Sequence, residues 1–176
     1  MEIPGFQFSE RKRKMCQMAL YPGTFDPVTN GHIDIISRAH EIFHDVIIAV
    51  AHNPHKKPIF SVVERVAMLK KATQGMSGVT VTNFDGLVVD FAHKMKARVL
   101  VRGVRMLSDF EYEFQMALTN RKLCSDIETI FLMPHESYSY LSAKLIKEAA
   151  ALGADLSNFV PDFVGAALQK KLRKKK

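Results

Sequence analysis

The sequence predicts one α/β domain built on a five-stranded parallel sheet with helices on both faces. The chain has 176 residues, about the length of a single domain. From residue 17 onward, short apolar runs rich in β-branched residues alternate with segments of helical periodicity. The connections between them are short, and there is no internal repeat or long linker. Regular alternation of this kind favours a parallel sheet with helices packed on both sides.

The predicted strands are short apolar runs. Val46–Ala51 is apolar throughout, which is typical of a strand covered on both faces. The other four are expected at residues 17–21, 79–84, 99–102 and 127–133.

The predicted helices are recognised by their caps and apolar faces. Ser61 and Glu64 form a capping box that opens a helix reaching residue 73, and a shorter helix is expected over residues 88–96. Asp109 is a plausible N-cap for a later helix. The Asp109 helix and three others each place apolar side chains on one face. The residues of these apolar faces are Ile35, Ile36, Ala39, Ile42 and Phe43 (residues 31–43); Phe110, Phe114, Ala117 and Leu118; Leu141, Leu145, Ala149 and Leu152; and, after Pro161, Val164, Ala167, Leu168 and Leu172.

The net charge of +7 is concentrated at the ends of the chain. Residues 170–176 carry six Lys or Arg and no acid, and residues 1–14 carry four bases and two acids. The rest is nearly neutral, so no specific nucleic-acid partner is expected, because such a partner requires a basic face on the folded body. We therefore divide the chain into an N-terminal extension (1–14), one domain (15–169) and a basic C-terminal tail (170–176).

The composition favours a cytoplasmic protein without a membrane segment. No apolar run approaches the roughly 18 residues that a membrane-spanning helix needs. The apolar stretch after the basic residues 11–14 is too short and polar for a signal peptide. Cys16 and Cys124 do not have a metal-binding spacing and are expected to be thiols.

The loops after the strands hold the candidate functional residues, because parallel α/β sheets bind ligands at the carboxyl ends of their strands. The first loop offers the hydroxyl of Thr24 and leads into a helix beginning near Gly31, whose free N–H groups attract anions. His32 lies in the first turn of that helix and can reach the same anion. A histidine at a helix start is more often structural than catalytic, and Asp26 is more often a turn-forming residue than an acid catalyst.

Cationic and hydroxyl side chains follow three other strands. Lys56 and Lys57 follow the second strand, although two lysines alone are usually only solvated. Arg102 and Arg105 flank Gly103 after a buried strand, and the five-donor fork of arginine suits phosphate. The last loop carries the hydroxyl-rich stretch 137–142, followed by Lys144.

Several enzyme classes lack their motifs here. There is no GxxxxGK[ST] sequence and no GxGxxG after the first strand, so a P-loop enzyme and an NAD dehydrogenase are disfavoured. There is also no evident Ser-His-Asp set or metal-ligand cluster. Phosphate-binding groups therefore converge on one edge of the sheet without an obvious nucleophile.

These motifs resemble a known family. The stretch 29–32, Thr-Asn-Gly-His, is similar to the HxGH/TxGH signature of the nucleotidyltransferase superfamily, whose fold is Rossmann-like. The longer string YPGTFDPVTNGH (21–32), together with VRGVR (101–105), DFEYE (109–113) and FLMP (131–134), resembles the bacterial phosphopantetheine adenylyltransferase family. The resemblance covers roughly residues 18–168. It departs at Ser142-Ala143-Lys144, where several members have a run of serines.

The resemblance implies transfer of AMP from ATP to 4′-phosphopantetheine, giving dephospho-CoA and pyrophosphate, with Mg²⁺ accompanying ATP and no protein metal site. It implies a homo-oligomer, commonly a hexamer. His32 would stabilise the transition state, with Lys56 and Arg105 also catalytic. The acceptor would contact Thr24, Lys56, Val88 and Arg102. ATP would contact Thr24, Phe25, His32, Gly103, Val104, Arg105, Glu113, Tyr138, Ser139, Tyr140, Leu141, Ser142, Ala143 and Lys144.

Two alternatives remain open at this point. One is another small nucleotidyltransferase, acting on nicotinate mononucleotide or forming a CDP-linked product; the segments 102–105 and 109–113 argue against it. The other is a non-catalytic nucleotide- or RNA-binding module, which depends on the basic ends of the chain.

Overall fold

The computed structural model describes residues 18–52 and 57–173. Its centre is a five-stranded sheet in the order β3-β2-β1-β4-β5, and every neighbouring pair is parallel. This confirms the predicted fold class. The predicted extension 1–14 lies outside the described residues. The strands are β1 Ala19–Gly23, β2 Val46–Ala51, β3 Val79–Phe84, β4 Val99–Gly103 and β5 Glu128–Leu132.

Six α-helices cover the sheet within the described ranges, and a short 3-10 helix spans Glu136–Tyr138. The Ser61–Glu64 capping box is present: the Ser61 N–H donates to the Glu64 carboxylate (2.8 Å), and the Glu64 N–H donates to Ser61 Oγ (3.2 Å). None of these helices combines the length and apolarity that crossing a membrane requires. The α-helices are α1 Asn30–Phe43, α2 Val62–Ala72, α3 Val88–Lys94, α4 Leu107–Leu123, α5 Ala143–Ala151 and α6 Asp162–Arg173.

The core has two layers, one on each face of the sheet. Side chains of α1, α2, α5 and α6 pack around Ile48 on one face. On the other face, the smaller layer includes Leu20, Leu100 and Ala92 of α3. Burial on both faces explains why β2 is apolar throughout.

The two central strands separate towards their carboxyl ends. β1 pairs with β2 along its whole length, from Ala19 to Gly23, but with β4 only at Ala19 and Leu20. Beyond Leu20 the ladder stops, and the carbonyl oxygen of Pro22 instead accepts a hydrogen bond from the Arg102 side chain at 2.5 Å. The reversal of strand order at β1 and β4 therefore coincides with a physical gap in the sheet, the position where such folds bind ligands.

Two predicted apolar faces need correction. Ile42, placed on the buried face of α1, is 57% exposed. In α5 the predicted Leu145 and Leu152 are exposed, while Ile146 and Ala150 are buried. The core-facing stripe of α5 is thus displaced by one residue, because packing against α6 and the sheet sets its rotation.

α4 also differs from the prediction. It begins at Leu107, and its N-cap, Met106, makes no side-chain capping bond. Asp109 is therefore not the N-cap; its carboxylate pairs with Arg105 instead. The expected apolar face is only partly covered by the rest of the described chain: Phe110 packs against Phe131, but Phe114 is 46% and Leu118 is 48% exposed.

The predicted boundary between domain and basic tail falls inside a helix. α6 continues to Arg173. Within it, Lys171 Nζ lies 2.8 Å from the Glu64 carboxylate and 5.5 Å from the centre of the Phe60 ring. Lys171, near the start of the basic segment, thus attaches α6 to the start of α2.

Candidate active site

A cleft of about 480 Å³ opens where β1 and β4 separate. It brings together eleven of the fourteen residues that the sequence comparison implied for ATP. Gly23, Thr29, Gly31, Tyr112 and Pro134 also border it. The eleven are Thr24, Phe25, His32, Gly103, Arg105, Glu113, Tyr138, Leu141, Ser142, Ala143 and Lys144.

A smaller cavity of about 170 Å³ adjoins the cleft and holds three of the four residues implied for the acceptor, Thr24, Val88 and Arg102. The fourth, Lys56, lies outside the described residues. The cleft and the cavity share six residues, and three of these, Thr24, Arg102 and Glu113, belong to the residues implied for the substrates. Two ligands placed in them would therefore meet at these side chains.

Three residues implied for ATP do not border the cleft. Val104 donates its N–H to the Leu132 carbonyl, extending the β4–β5 ladder. Ser139 donates its hydroxyl to the Glu136 carbonyl, and the Tyr140 ring, 61% exposed, packs edge-on against Phe159.

The loop after β1 holds an aromatic ring against the histidine. Phe25 has a positive φ of 51°, unusual for a residue with a side chain, and its ring folds back over Gly23. A Cβ at Gly23 would lie only 2.8 Å from that ring, so glycine is required there. The Phe25 ring contacts His32 edge-on, with centroids 5.1 Å apart. Phe25 is 2% exposed, so its ring supports the imidazole from behind.

His32 is both a helix cap and a cleft residue. It occupies the third position of α1, where its Nδ1 accepts the Thr29 backbone N–H at 3.0 Å. Because Nδ1 is the acceptor, the neutral ring carries its proton on Nε2. The capping box therefore fixes the tautomer that makes His32 a hydrogen-bond donor.

The surroundings keep His32 neutral. Burial, reinforced by the positive charges of Arg105 and Arg102, lowers the pKa of His32 from 6.5 to about 4. At neutral pH the ring can therefore offer a hydrogen bond but not a full positive charge.

Arg102 and Arg105 are held in the same manner, each by one carboxylate and one carbonyl. Arg102 binds Glu113 through Nε (2.7 Å) and Nη2 (2.5 Å), and binds the Pro22 carbonyl through Nη1. Arg105 binds Asp109 through Nε (2.9 Å) and Nη2 (3.1 Å), and the Leu141 carbonyl through Nη1. Since a guanidinium has five N–H donors, each arginine keeps about two for a ligand.

Two residues that border the cleft, Tyr21 and Asp109, had no site role in the sequence analysis. Tyr21 lies in β1 and borders the cleft; burial raises its pKa to about 12, so it remains protonated. Tyr21 is the first residue of the motif 21–32, but its place in an apolar strand suggested a core residue. Asp109 was predicted only as a helix N-cap, although its position four residues after Arg105 is a spacing that favours an ion pair.

The acidic residues of the cleft do not fit a protein-held metal. Within residues 18–52 and 57–173, no three His, Cys, Asp or Glu side chains come together as a metal site. Glu113 and Asp109 are each occupied by an arginine. A divalent cation here would depend on oxygens supplied by a substrate.

Comparison with known proteins assigns the class first. Residues 20–149 match the family model described as cytidylyltransferase-like. A solved bifunctional NMN adenylyltransferase/ADP ribose pyrophosphatase from Francisella tularensis superposes with a TM-score of 0.68, covering 90% of this chain and 50% of that one, at 16% identity. That likeness supports the fold, and the matched residues place the chain among the nucleotidyltransferases.

The particular family follows from closer relatives. The chain is 52% identical over 155 residues to the phosphopantetheine adenylyltransferase of Alkaliphilus metalliredigens, covering 88% of this chain and 99% of that protein. It is also 52% identical over 158 residues to the enzyme of that name from Caldanaerobacter subterraneus subsp. tengcongensis, covering 90% and 99%. The chain belongs to the phosphopantetheine adenylyltransferase family.

Proposed function

We propose that this chain transfers the adenylyl group of ATP to 4′-phosphopantetheine, forming dephospho-CoA and pyrophosphate in the penultimate step of CoA synthesis. The observation that carries the proposal is the meeting of the cleft and the smaller cavity at Thr24, Arg102 and Glu113. An adenylyltransferase needs this arrangement, because its two phosphate-bearing substrates must meet end to end. The names of the relatives favour phosphopantetheine over nicotinate mononucleotide as the acceptor.

The reaction needs no nucleophile from the protein. An oxygen of the acceptor phosphate forms a bond to the α-phosphorus of ATP, while the bond from that phosphorus to the bridging oxygen breaks. Pyrophosphate leaves with the electron pair. Two unit negative charges about 4 Å apart repel by about 4 kcal/mol at an effective dielectric constant of 20. Catalysis therefore consists of positioning and charge stabilisation.

The fixed hydrogen-bond donors of the site would supply both the positioning and the charge stabilisation. His32 Nε2–H is the donor for the α-phosphate oxygens, where negative charge develops. Arg105 borders the nucleotide cleft and would bind ATP through its remaining N–H groups, while Arg102, which borders both cavities, would bind the acceptor, whose pantetheine arm would follow Val88. Lys56 is retained as a proposed catalytic cation. Lys144, exposed at the cleft border, is suited to the terminal phosphates.

Magnesium enters this scheme as part of the substrate, MgATP. Mg²⁺ commonly keeps several waters and binds through substrate phosphates. The engagement of Glu113 and Asp109 by arginines supports that mode. With ATP as the donor, we place the reaction in the cytoplasm.

We also propose a homo-oligomer, a hexamer by family resemblance. The uncovered side of α4 supports it, because Leu107 (79% exposed), Phe114 and Leu118 form an apolar surface that a second copy could bury. Light scattering after size exclusion tests the proposal, and a monomer at micromolar concentration would refute it.

The reaction is tested by pyrophosphate release from MgATP. We expect release with 4′-phosphopantetheine and little with nicotinate mononucleotide or without an acceptor. Equal release with all three, or release with nicotinate mononucleotide alone, would refute the proposed acceptor.

A further inference from the structure

Arg65 is a buried arginine with no direct contact to the cleft. It lies on α2, is 1% exposed, and donates to three backbone carbonyls: Phe60 from Nε at 3.1 Å, and Thr24 (2.5 Å) and Ala51 (3.1 Å) from Nη1. Burial lowers the pKa of its guanidinium, and the nearby negative charge of Asp26 opposes this change. A buried charge costs several kcal/mol in desolvation, which an apolar side chain on α2 would avoid.

The three carbonyls belong to different segments, and two of these segments border the substrate cavities. Thr24 borders both the cleft and the smaller cavity. Ala51 ends β2 and borders the smaller cavity. Phe60 lies in the segment that leads into α2. One planar side chain thus sets the spacing of three segments, which the single ammonium of a lysine cannot reproduce.

Asp26 holds one of these segments from the opposite side. Its carboxylate accepts the N–H groups of Ile59 (3.0 Å) and Phe60 (2.9 Å), and pairs with Lys147 Nζ at 2.9 Å. Phe60 is therefore fixed through its N–H by Asp26 and through its carbonyl by Arg65. Both backbone groups of Phe60 therefore join the segment before α2 to the loop after β1. Its N–H binds Asp26 of that loop, and its carbonyl binds Arg65, which also binds the Thr24 carbonyl of that loop.

We propose that Arg65 is a positioning residue for adenylyl transfer, which sets Thr24 and the carboxyl end of β2 at the distance that both substrates require. This inference rests on the proposed function. A misplacement of about 1 Å by a residue remote from the chemistry can lower the rate about 100-fold. Loosening the Thr24 carbonyl would disturb both substrates at once, because Thr24 borders both of their cavities.

The test compares Arg65→Lys with Arg98→Lys, an exposed control at the opposite, amino end of β4. Both are assayed well below their melting temperatures, with kcat and both KM values expressed per folded molecule. We expect Arg65→Lys to lower kcat/KM for ATP and for 4′-phosphopantetheine by about 10- to 100-fold, and Arg98→Lys to match the wild type.

A lower Tm for Arg65→Lys with unchanged kcat and KM values would overturn the proposal, because a purely structural role predicts that pattern. If the lysine variant does not fold, Arg65→Gln, which keeps a donor without a buried charge, takes its place. Failure of both to fold would assign Arg65 to the fold and also overturn the inference. Wild-type turnover is measured first, so a wrong acceptor is recognised separately from a wrong role for Arg65.

Discussion

Replacing His32 by asparagine separates its two roles. Asn places its Oδ1 close to the position of Nδ1, so the Thr29 N–H keeps an acceptor and α1 keeps its cap. Asn has no atom at the position of Nε2, so the donor to the transferring phosphate is lost. His32→Ala removes both functions and serves as the comparison.

The expected size follows from the geometry. Removing one donor from a preorganised site lowers kcat by about 10²- to 10³-fold, or about 3–4 kcal/mol. We expect this loss in His32→Asn with little change in ATP affinity, because the bond strengthens mainly as charge develops. His32→Ala should show the same kinetic loss and, in addition, lose about 1 kcal/mol of stability through the cap.

The assay measures kcat, ATP affinity and Tm on one preparation of each variant. A folded His32→Asn enzyme with kcat within about threefold of wild type would remove the Nε2 donor from the mechanism. Equal losses of Tm in both variants would instead show that asparagine fails to replace the cap.

Three further predictions follow from the site and the chain ends. The pKa of His32 in the folded state is lowered to about 4, so between about pH 6.5 and 4 the unfolded chain binds more protons than the folded chain. The free energy of unfolding should therefore fall on acidification through that window, by up to about 3 kcal/mol. Denaturant melts should show a smaller fall for His32→Asn, and equal falls in both proteins would contradict the assignment. Arg102→Lys should chiefly raise KM for the acceptor and Arg105→Lys that for ATP, each about tenfold; identical effects on both substrates would refute the separate roles. A chain beginning at Met15 should fold and keep wild-type kcat, and an insoluble or inactive product would refute this.

The sequence predicted secondary structure well where an element depends only on residues that are close together in the chain. The Ser61–Glu64 capping box needs only residues three apart, and β2 is long and apolar enough to specify a buried strand. Helix faces were less predictable. In α5 the choice between Leu145 and Ile146 is a rotation of about 100°, and packing against α6, not the local pattern, decides it.

The site was predictable to the extent that topology decides it. Parallel strands bring their following loops to one edge, so Thr24, His32 and Arg105 could be grouped before their distances were known. The pairing of Arg102 with Glu113 could not be predicted from the sequence, since it depends on where α4 is placed relative to the end of β4. Arg65 was hidden for a similar reason: an arginine on a helix ordinarily indicates a solvated face.

The early end of the β1–β4 ladder has a consequence for how the sheet resists closing. Two adjacent parallel strands tend to form backbone hydrogen bonds along their full length. Continued pairing of β1 with β4 would close the site. Pro22 has no N–H to offer a ladder, and its carbonyl is already taken by Arg102. Pro22 thus ends the β1–β4 ladder, and the opening is maintained by missing backbone hydrogen bonds rather than by a bulky side chain between the strands. A substitution that restores an N–H at position 22 would allow the β1–β4 ladder to extend into the binding site.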